Sequence, residues 1–338
     1  MKNLLFVIIV LCLSCSDSAS DKSKTEQVVK EFLPVIALHG GAGDLKGLNL
    51  TPAEEQQYLI VMDSALHVGY QILVNGGTSL DAVESVIKIM EDSPLFNAGR
   101  GAVFSHEGKN ELDAAIMNGR NQDCAAVAGV TIVKNPIQLV RHIMDSSRFV
   151  FLSGKGAEQY ATDYKIPTVD PSYFFTQKRW DQYQEALKED KEKLDHSPSS
   201  EKKMGTVGCV ALDRYGNIAA GTSTGGITNK KYGRIGDSPV IGAGTYADND
   251  GVAVSCTGRG EDFIKVAAAH EINSLVKYKK KSLEDAVEKT LKEIVSKKGR
   301  GGCIALDQKG NYYLGFTTSG MFRGVIDAKG NKLVKIYK

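Results

Sequence analysis

The chain has 338 residues, 42 % hydrophobic and 24 % charged, a balance that fits a folded soluble protein of one large domain or two modest ones at about 150 residues each. Lys+Arg at 42 against Asp+Glu at 40 leaves a net charge of +2 with no basic cluster outside one mixed-charge run, which argues against a nucleic-acid binder. Aromatic residues make up 7 % with a single Trp, and the 35 Gly against 8 Pro show neither a collagen period nor the bias of disorder.

In chain order, Lys2, the apolar run 4–13 and Ser14-Cys15 read as an export signal, since the run falls well short of the ~20 residues of a bilayer span. Cys12-Leu13-Ser14-Cys15 looks like a bacterial lipobox, which would be cut before Cys15 and lipidated on it; the alternative is an ordinary secretory signal cleaved nearby. Residues 16–34 follow as a polar tether, and no second apolar stretch of spanning length occurs.

The first strand is expected at 35–39, running into Gly40-Gly41-Ala42-Gly43. Thr51, Pro52 and Glu54 make a capping-box start for a helix that runs to about Val74 and stops at Gly76-Gly77. A second helix begins at Thr78 or Ser79, with Asp81 in its first turn, and ends before Pro94. Strands at 112–117 and 125–133, a short helix from Asn135-Pro136 through Met144 and a strand at 149–152 follow. From Arg179 to Lys203 the chain is dense in Lys, Glu and Asp. Its first half suits a solvated helix, and around 186–205 it becomes a flexible linker, too poor in apolar surface to pack.

After the linker an apolar strand starts abruptly at Val207. Gly208-Cys209-Val210-Ala211-Leu212-Asp213, the Gly216-Asn217 turn and Thr222-Ser223-Thr224 return as Gly302-Cys303-Ile304-Ala305-Leu306-Asp307, Gly310-Asn311 and Phe316-Thr317-Thr318, two hairpins of one design. Between them lie strands near Ile241 and Val252 and helices at 261–277 and 282–295. Hairpins plus helix pairs argue for an α+β layered domain. Cys124, Cys209, Cys256 and Cys303 read as buried thiols, their spacing giving no disulfide framework and no zinc site, and the six histidines include no His-x-x-x-His pair.

Two places carry chemistry. Gly221-Thr222-Ser223-Thr224-Gly225 fits Gly-x-Ser-x-Gly, with His39-Gly40-Gly41 as an oxyanion loop and His270 as the base for Ser223. The context is wrong for an esterase, because a nucleophile elbow needs a helix directly after the serine and 225–233 is loop-like. The other place is Thr206. If the bond from Gly205 were cut, Thr206 would carry its own base, an α-amine titrating near ~7.7–8. A linker ending in glycine before a rigid strand suits a self-cleaving junction.

Gly205-Thr206-Val207-Gly208, Thr222 to Gly226, Gly233-Arg234-Ile235-Gly236-Asp237-Ser238-Pro239, Gly242 to Ala247 and Cys256-Thr257-Gly258-Arg259-Gly260-Glu261 together resemble the plant-type asparaginase/isoaspartyl peptidase family of N-terminal-nucleophile hydrolases. So do His39 to Gly43, Phe96-Asn97-Ala98-Gly99 and Glu111-Leu112-Asp113-Ala114 in the first half, and the resemblance runs from about Val35 to the C-terminus. It implies an αββα four-layer sandwich formed by one domain, 35–338, cut at Gly205/Thr206 into α and β chains. It implies Thr206 as nucleophile, Thr224 as its hydrogen-bond partner and Thr257 with Gly258 as the oxyanion hole. Arg234 and Asp237 would bind the substrate's α-carboxylate and α-ammonium, with Asn97 nearby. It further implies a structural sodium in the loop around 90–100, no cofactor in the chemistry and an (αβ)₂ assembly. The implied activity is hydrolysis of β-aspartyl dipeptides and asparagine. The alternatives are glycosylasparaginase and, more remotely, a non-catalytic surface lipoprotein.

Overall fold

Twelve strands divide between two sheets in the computed structural model, which describes residues 32–192 and 205–338. The export segment with Cys15, most of the tether and linker residues 193–204 lie outside the described residues. At the C-terminal end of the expected tether, the Phe32 amide donates to the Arg214 carbonyl at 3.0 Å.

The larger sheet takes β1 (Val35–Gly43), β2 (Leu112–Asn118), β3 (Cys124–Val130), β4 (Phe151–Ser153), β5 (Val207–Leu212), β6 (Ile218–Thr224), β11 (Gly320–Ile326) and β12 (Lys332–Tyr337). Their order is β12-β11-β1-β5-β6-β2-β3-β4, antiparallel except for β3-β4. The smaller sheet runs β10-β9-β8-β7, with β7 (Thr245–Ala247), β8 (Val252–Gly258), β9 (Gly301–Asp307) and β10 (Tyr312–Phe316). Helices α1 (Pro52–Val74), α2 (Ser79–Asp92) and α3 (Pro136–Ser146) pack on one face of the larger sheet. The smaller sheet packs on the other face, and α7 (Ala268–Lys277) with α8 (Leu283–Ser296) covers its far side. The layers therefore run helices, sheet, sheet, helices, and the described residues belong to one compact unit.

Local chemistry fixes most of these elements. The Thr51 hydroxyl accepts from the Glu54 amide at 3.2 Å while Glu54 accepts from the Thr51 amide at 2.9 Å, and Thr78 with Asp81 repeats the device on α2. Each such cap contributes about 1 kcal/mol. The hairpin turns are Asp-x-x-Gly-Asn: Asp213 Oδ1 accepts from the amides of Tyr215 and Asn217, and Asp307 Oδ1 from Lys309 and Asn311. A third copy, Asp327 to Asn331, makes the same bonds between β11 and β12. The sequence reading recognised only two of the three.

Some expectations fail. The helix expected over 261–277 is two, α6 (Gly260–Lys265) and α7, broken at Ala267, which is left-handed with φ 47°. The first amides of α7 donate to the carbonyls of Ala243 and Gly242 (3.2 and 2.8 Å), so tertiary partners replace the helical ones. Ile241 makes only an isolated bridge, to Thr245, where β7 begins. A helix α4 (Gly154–Asp163) was not anticipated; α5 (Gln177–Glu192) is the helix expected over the first half of the charged stretch, and it runs past 186, where the linker was expected to begin. Phe104 meets Trp180 edge-on and Tyr183 at a tilt, and this aromatic cluster seats α5, which explains why so charged a segment is helical. Among the described residues, no helix is long and apolar enough to cross a membrane.

Candidate active site

Strand alternation decides which side chains meet between the sheets. On β1, Ile36 and Leu38 join the helix-side core while Val35 and Ala37 join the inter-sheet core, so His39 points between the sheets. On β6, Ile218 and Ala220 set the same phase for Thr222 and Thr224, whereas Gly221 abuts Val83 and Ile87 of α2. On β8, Val252, Val254 and Cys256 face α7 and α8, which leaves Ser255 and Thr257 between the sheets with Ala253. Towards one end of the sandwich, hydroxyl groups thus replace apolar filling.

Thr206, 7 % exposed, stands at that end one residue before β5. Its Oγ1 donates to Thr224 Oγ1 at 3.1 Å, and the same Thr224 oxygen accepts the Gly226 amide at 3.1 Å. Thr257 Oγ1 accepts the Ala42 amide at 3.2 Å and borders Gly205. Gly205 is pressed against Gly41, whose φ is +109°; a Cβ at Gly41 would stand 2.5 Å from the Gly205 Cα. Only glycine takes that backbone conformation without strain, so the His39 to Gly43 segment is shaped to lie against the junction.

Asn97 is committed to backbone at both ends of its amide: Nδ2 donates to the Gly226 carbonyl at 2.7 Å and Oδ1 accepts the Val103 amide at 3.0 Å. It braces the loop that follows Thr224. Arg234 presents a fork to Glu261, with Nε and Nη2 each 2.9 Å from a carboxylate oxygen. Burial works against its charge, but Glu261, with Asp237 and Asp113 further off, holds the guanidinium more firmly protonated than usual. Gly260 lies between Arg234 and Asp237, since a Cβ there would be 3.0 Å from Arg234 Nη2 and 2.7 Å from the Asp237 nitrogen.

A cavity of about 750 Å³ opens over these groups, bordered by Thr206, Gly258, Asn97, Arg234 and Lys230, with Leu48, Glu54 and α5 residues as the far wall. That volume lies within the ~300–1,000 Å³ of small-molecule sites. The esterase arrangement is absent: Ser223 points the other way, its hydroxyl donating to Glu91 Oε1 at 2.6 Å, while the His270 ring lies on α7 beside Ser274. Cys209, Cys256 and Cys303 are buried free thiols, as read, and Cys124 is half-buried.

The family model described as Asparaginase matches residues 32–336. The chain belongs to the asparaginase family. It is 46 % identical over 293 residues to the isoaspartyl peptidase of Escherichia coli (strain K12), covering 86 % of this chain and 91 % of the relative. To the isoaspartyl peptidase/L-asparaginase of Bos taurus it is 41 % identical over 289 residues (85 % and 91 %), and to that of Homo sapiens 38 % over 289 residues (85 % and 91 %).

Several groups of this asparaginase-family site carried no role in the sequence reading. Glu261 stood inside a quoted motif but only the fold shows it facing Arg234. Lys230 is buried, with Nζ 3.0 Å from the Glu111 carbonyl and 3.5 Å from its carboxylate. Asp113, opposite Thr224 on the adjacent strand, is buried with one oxygen on the Gly129 amide, and burial pushes its carboxyl up. The carbonyls of Glu91, Pro94 and Phe96 crowd the α-carbons of Gly99 and Gly101, so side chains there would strike them.

Glu91, at the end of α2, is fully buried; its Oε1 also accepts the Ile137 amide at 3.1 Å, and burial pushes its carboxyl up to about 8. Because the folded value exceeds the unfolded one, the folded state holds the extra proton. This contribution to stability is fully present below about pH 4.5 and is lost as pH rises towards about 8, at up to ~1.4 kcal/mol per unit. Glu91→Gln keeps the shape of the neutral acid without the titration. The expected result is a melting temperature for the variant that falls less than wild type between pH 5 and 8; parallel curves would show that Glu91 is charged in the folded protein.

Proposed function

We propose that this chain is a self-processed threonine hydrolase of β-aspartyl dipeptides and L-asparagine, built on the N-terminal-nucleophile fold and cut between Gly205 and Thr206. Membership of the asparaginase family supports the activity, and the observation that carries the mechanism is the 3.1 Å hydrogen bond from Thr206 to Thr224 at the floor of the cavity. The Thr206 hydroxyl adds to the Gly205 carbonyl, the C–N bond breaks as the nitrogen takes the proton, and water hydrolyses the resulting ester. Gly205 leaves as a carboxylate and Thr206 gains an α-amine.

In turnover the Thr206 Oγ attacks the side-chain carbonyl of the aspartyl unit, and the α-amine takes the hydroxyl proton. The developing oxyanion meets the Thr257 hydroxyl and the Gly258 amide; because Ala42 donates to Thr257 Oγ1, the hydroxyl proton of Thr257 is left to give. The amine returns its proton to the leaving nitrogen, and water then releases aspartate from the ester. No step calls for a cofactor. A cavity of about 750 Å³ accommodates an amino-acid leaving group, which supports dipeptides beside asparagine. The resemblance to the family also implies a structural sodium in the loop around 90–100 and an (αβ)₂ assembly.

A substrate panel tests the assignment. β-Aspartyl-leucine and asparagine should be hydrolysed and α-aspartyl-leucine should not, because its α-carboxylate is consumed in the peptide bond. Equal turnover of the α-linked dipeptide would sink the reading, and clear preference for glycosylated asparagine would make the protein a glycosylasparaginase.

The N-terminal segment supports export, with the enzyme periplasmic or held to a membrane only by lipid on Cys15. The two or three acyl chains of a lipoprotein hold firmly where one would not. Cys15→Ala should move the protein from the membrane fraction to the soluble one, and equal retention would rule out the anchor.

A further inference from the structure

We propose that His39 is a positioning residue for the nucleophile, holding the Thr206 carbonyl through a ring tautomer that a line of buried hydroxyls supports. The proposal rests on Thr206 being the nucleophile. Once the bond before it is cut, Thr206 remains attached only through its own carbonyl carbon. It precedes β5, whose ladder with β6 begins at Val207, so its carbonyl lies beyond the regular strand pairing. His39 Nδ1 stands 3.1 Å from that carbonyl oxygen.

The direction of every bond follows. A carbonyl only accepts, so Nδ1 carries the proton. The ring is completely buried, which pushes its pKa down to about 3 and keeps it neutral, so Nε2 bears a lone pair. Ser255 Oγ, 2.9 Å from Nε2, must therefore donate to it. Its hydrogen spent, Ser255 accepts from Thr222 Oγ1 at 2.7 Å, and Thr222 accepts from Thr245 Oγ1 at 2.7 Å. The other acceptors within reach of Thr222 and Thr245, the carbonyls of Gly244 and Ser238, are longer at 3.3 and 3.0 Å.

The line thus runs from β7 through β6, β8 and β1 to the residue before β5, across both sheets. Gly208 makes room for it, since a Cβ there would collide with both Ser255 Oγ and His39 Nε2. The role of the glycine in Gly205-Thr206-Val207-Gly208 is then to let the histidine and serine meet.

The test compares His39→Ala, His39→Asn and Ser255→Ala with wild type, by processing on a denaturing gel, by kcat and KM on β-aspartyl-leucine, and by ¹⁵N NMR of the histidine rings at neutral pH, with the His39 signal identified by its loss in His39→Asn. Wild type should show the His39 proton on Nδ1. His39→Ala should lose about 10²-fold in kcat with KM changed no more than about threefold, as for a displaced rather than a missing nucleophile. His39→Asn, which keeps an N–H near the Nδ1 position, should recover roughly tenfold of that, and Ser255→Ala should cost about tenfold while mixing the two tautomers.

A wild-type ring protonated on Nε2, equal losses in the alanine and asparagine variants, or wild-type kcat in His39→Ala would overturn the assignment. If His39→Ala stays uncut or misfolds, the wild-type tautomer and Ser255→Ala decide. Turnover by Thr206→Ala would instead remove the nucleophile reading beneath it.

Discussion

Thr206→Ala is expected to run as one full-length chain on a denaturing gel and to hydrolyse β-aspartyl-leucine at least about 10⁴-fold more slowly than wild type, as when a covalent nucleophile is deleted. Wild type should give two fragments, the smaller beginning at Thr206 by N-terminal sequencing. On the proposed mechanism the same hydroxyl performs both reactions, so one substitution should abolish both. The Thr206 Oγ1 rests on Thr224 and lies in a cavity whose other borders include Gly205 and Gly258. Ser223→Ala is the internal control. Its hydroxyl bonds Glu91 on the helix side of β6, away from Thr206, so this variant should process and retain activity. Normal cleavage of Thr206→Ala would end the N-terminal-nucleophile mechanism. Loss of activity confined to Ser223→Ala, with processing intact, would revive the serine reading that the strand alternation argues against.

Local signals were legible in the sequence wherever a few neighbouring residues decide the structure. Thr51-Pro52-x-Glu54 announced α1, and Thr78 with Asp81 announced α2, because a capping box closes within four residues. The paired hairpins around Gly216-Asn217 and Gly310-Asn311 were legible for the same reason, yet they turn out to lie in different sheets, which no local pattern could reveal. Ala267 shows the opposite case: its neighbours favour one continuous helix, and the break exists because carbonyls from the Gly242 turn take the amides of α7. In the site, Thr206, Thr224 and Arg234 were recognisable by resemblance to a family. Glu261, Glu91 and the His39–Ser255 contact were not, since each depends on which face of a strand or helix meets another far along the chain. Strand phase, readable in hindsight from the apolar neighbours of Thr222 and Ser255, was the available signal.

Arg234→Ala should lower kcat/KM for β-aspartyl-leucine by roughly 30- to 5,000-fold, the equivalent of about 2–5 kcal/mol for leaving a buried carboxylate without its cation. A fork of guanidinium N–H groups would match the α-carboxylate, and on the proposed assignment Asp237 would meet the α-ammonium. Glu261 takes Nε and one Nη2 hydrogen, at 2.9 Å each, which leaves the Nη1 end of the guanidinium as the part that would meet the carboxylate. Glu261 then serves to aim Arg234 and does not compete outright for it. Arg234→Lys separates charge from shape: a lysine keeps the cation but loses the fork, and should recover only a minor part of the loss. The decisive comparison uses β-aspartyl-leucine whose aspartyl α-carboxylate is converted to an amide. Wild type should discriminate strongly against that compound, and Arg234→Ala should treat the two forms nearly alike, because the group that told them apart is gone. If the variant still prefers the free acid by the wild-type factor, some other cation reads the carboxylate, and Lys230, buried at the edge of the same cavity, becomes the residue to substitute next.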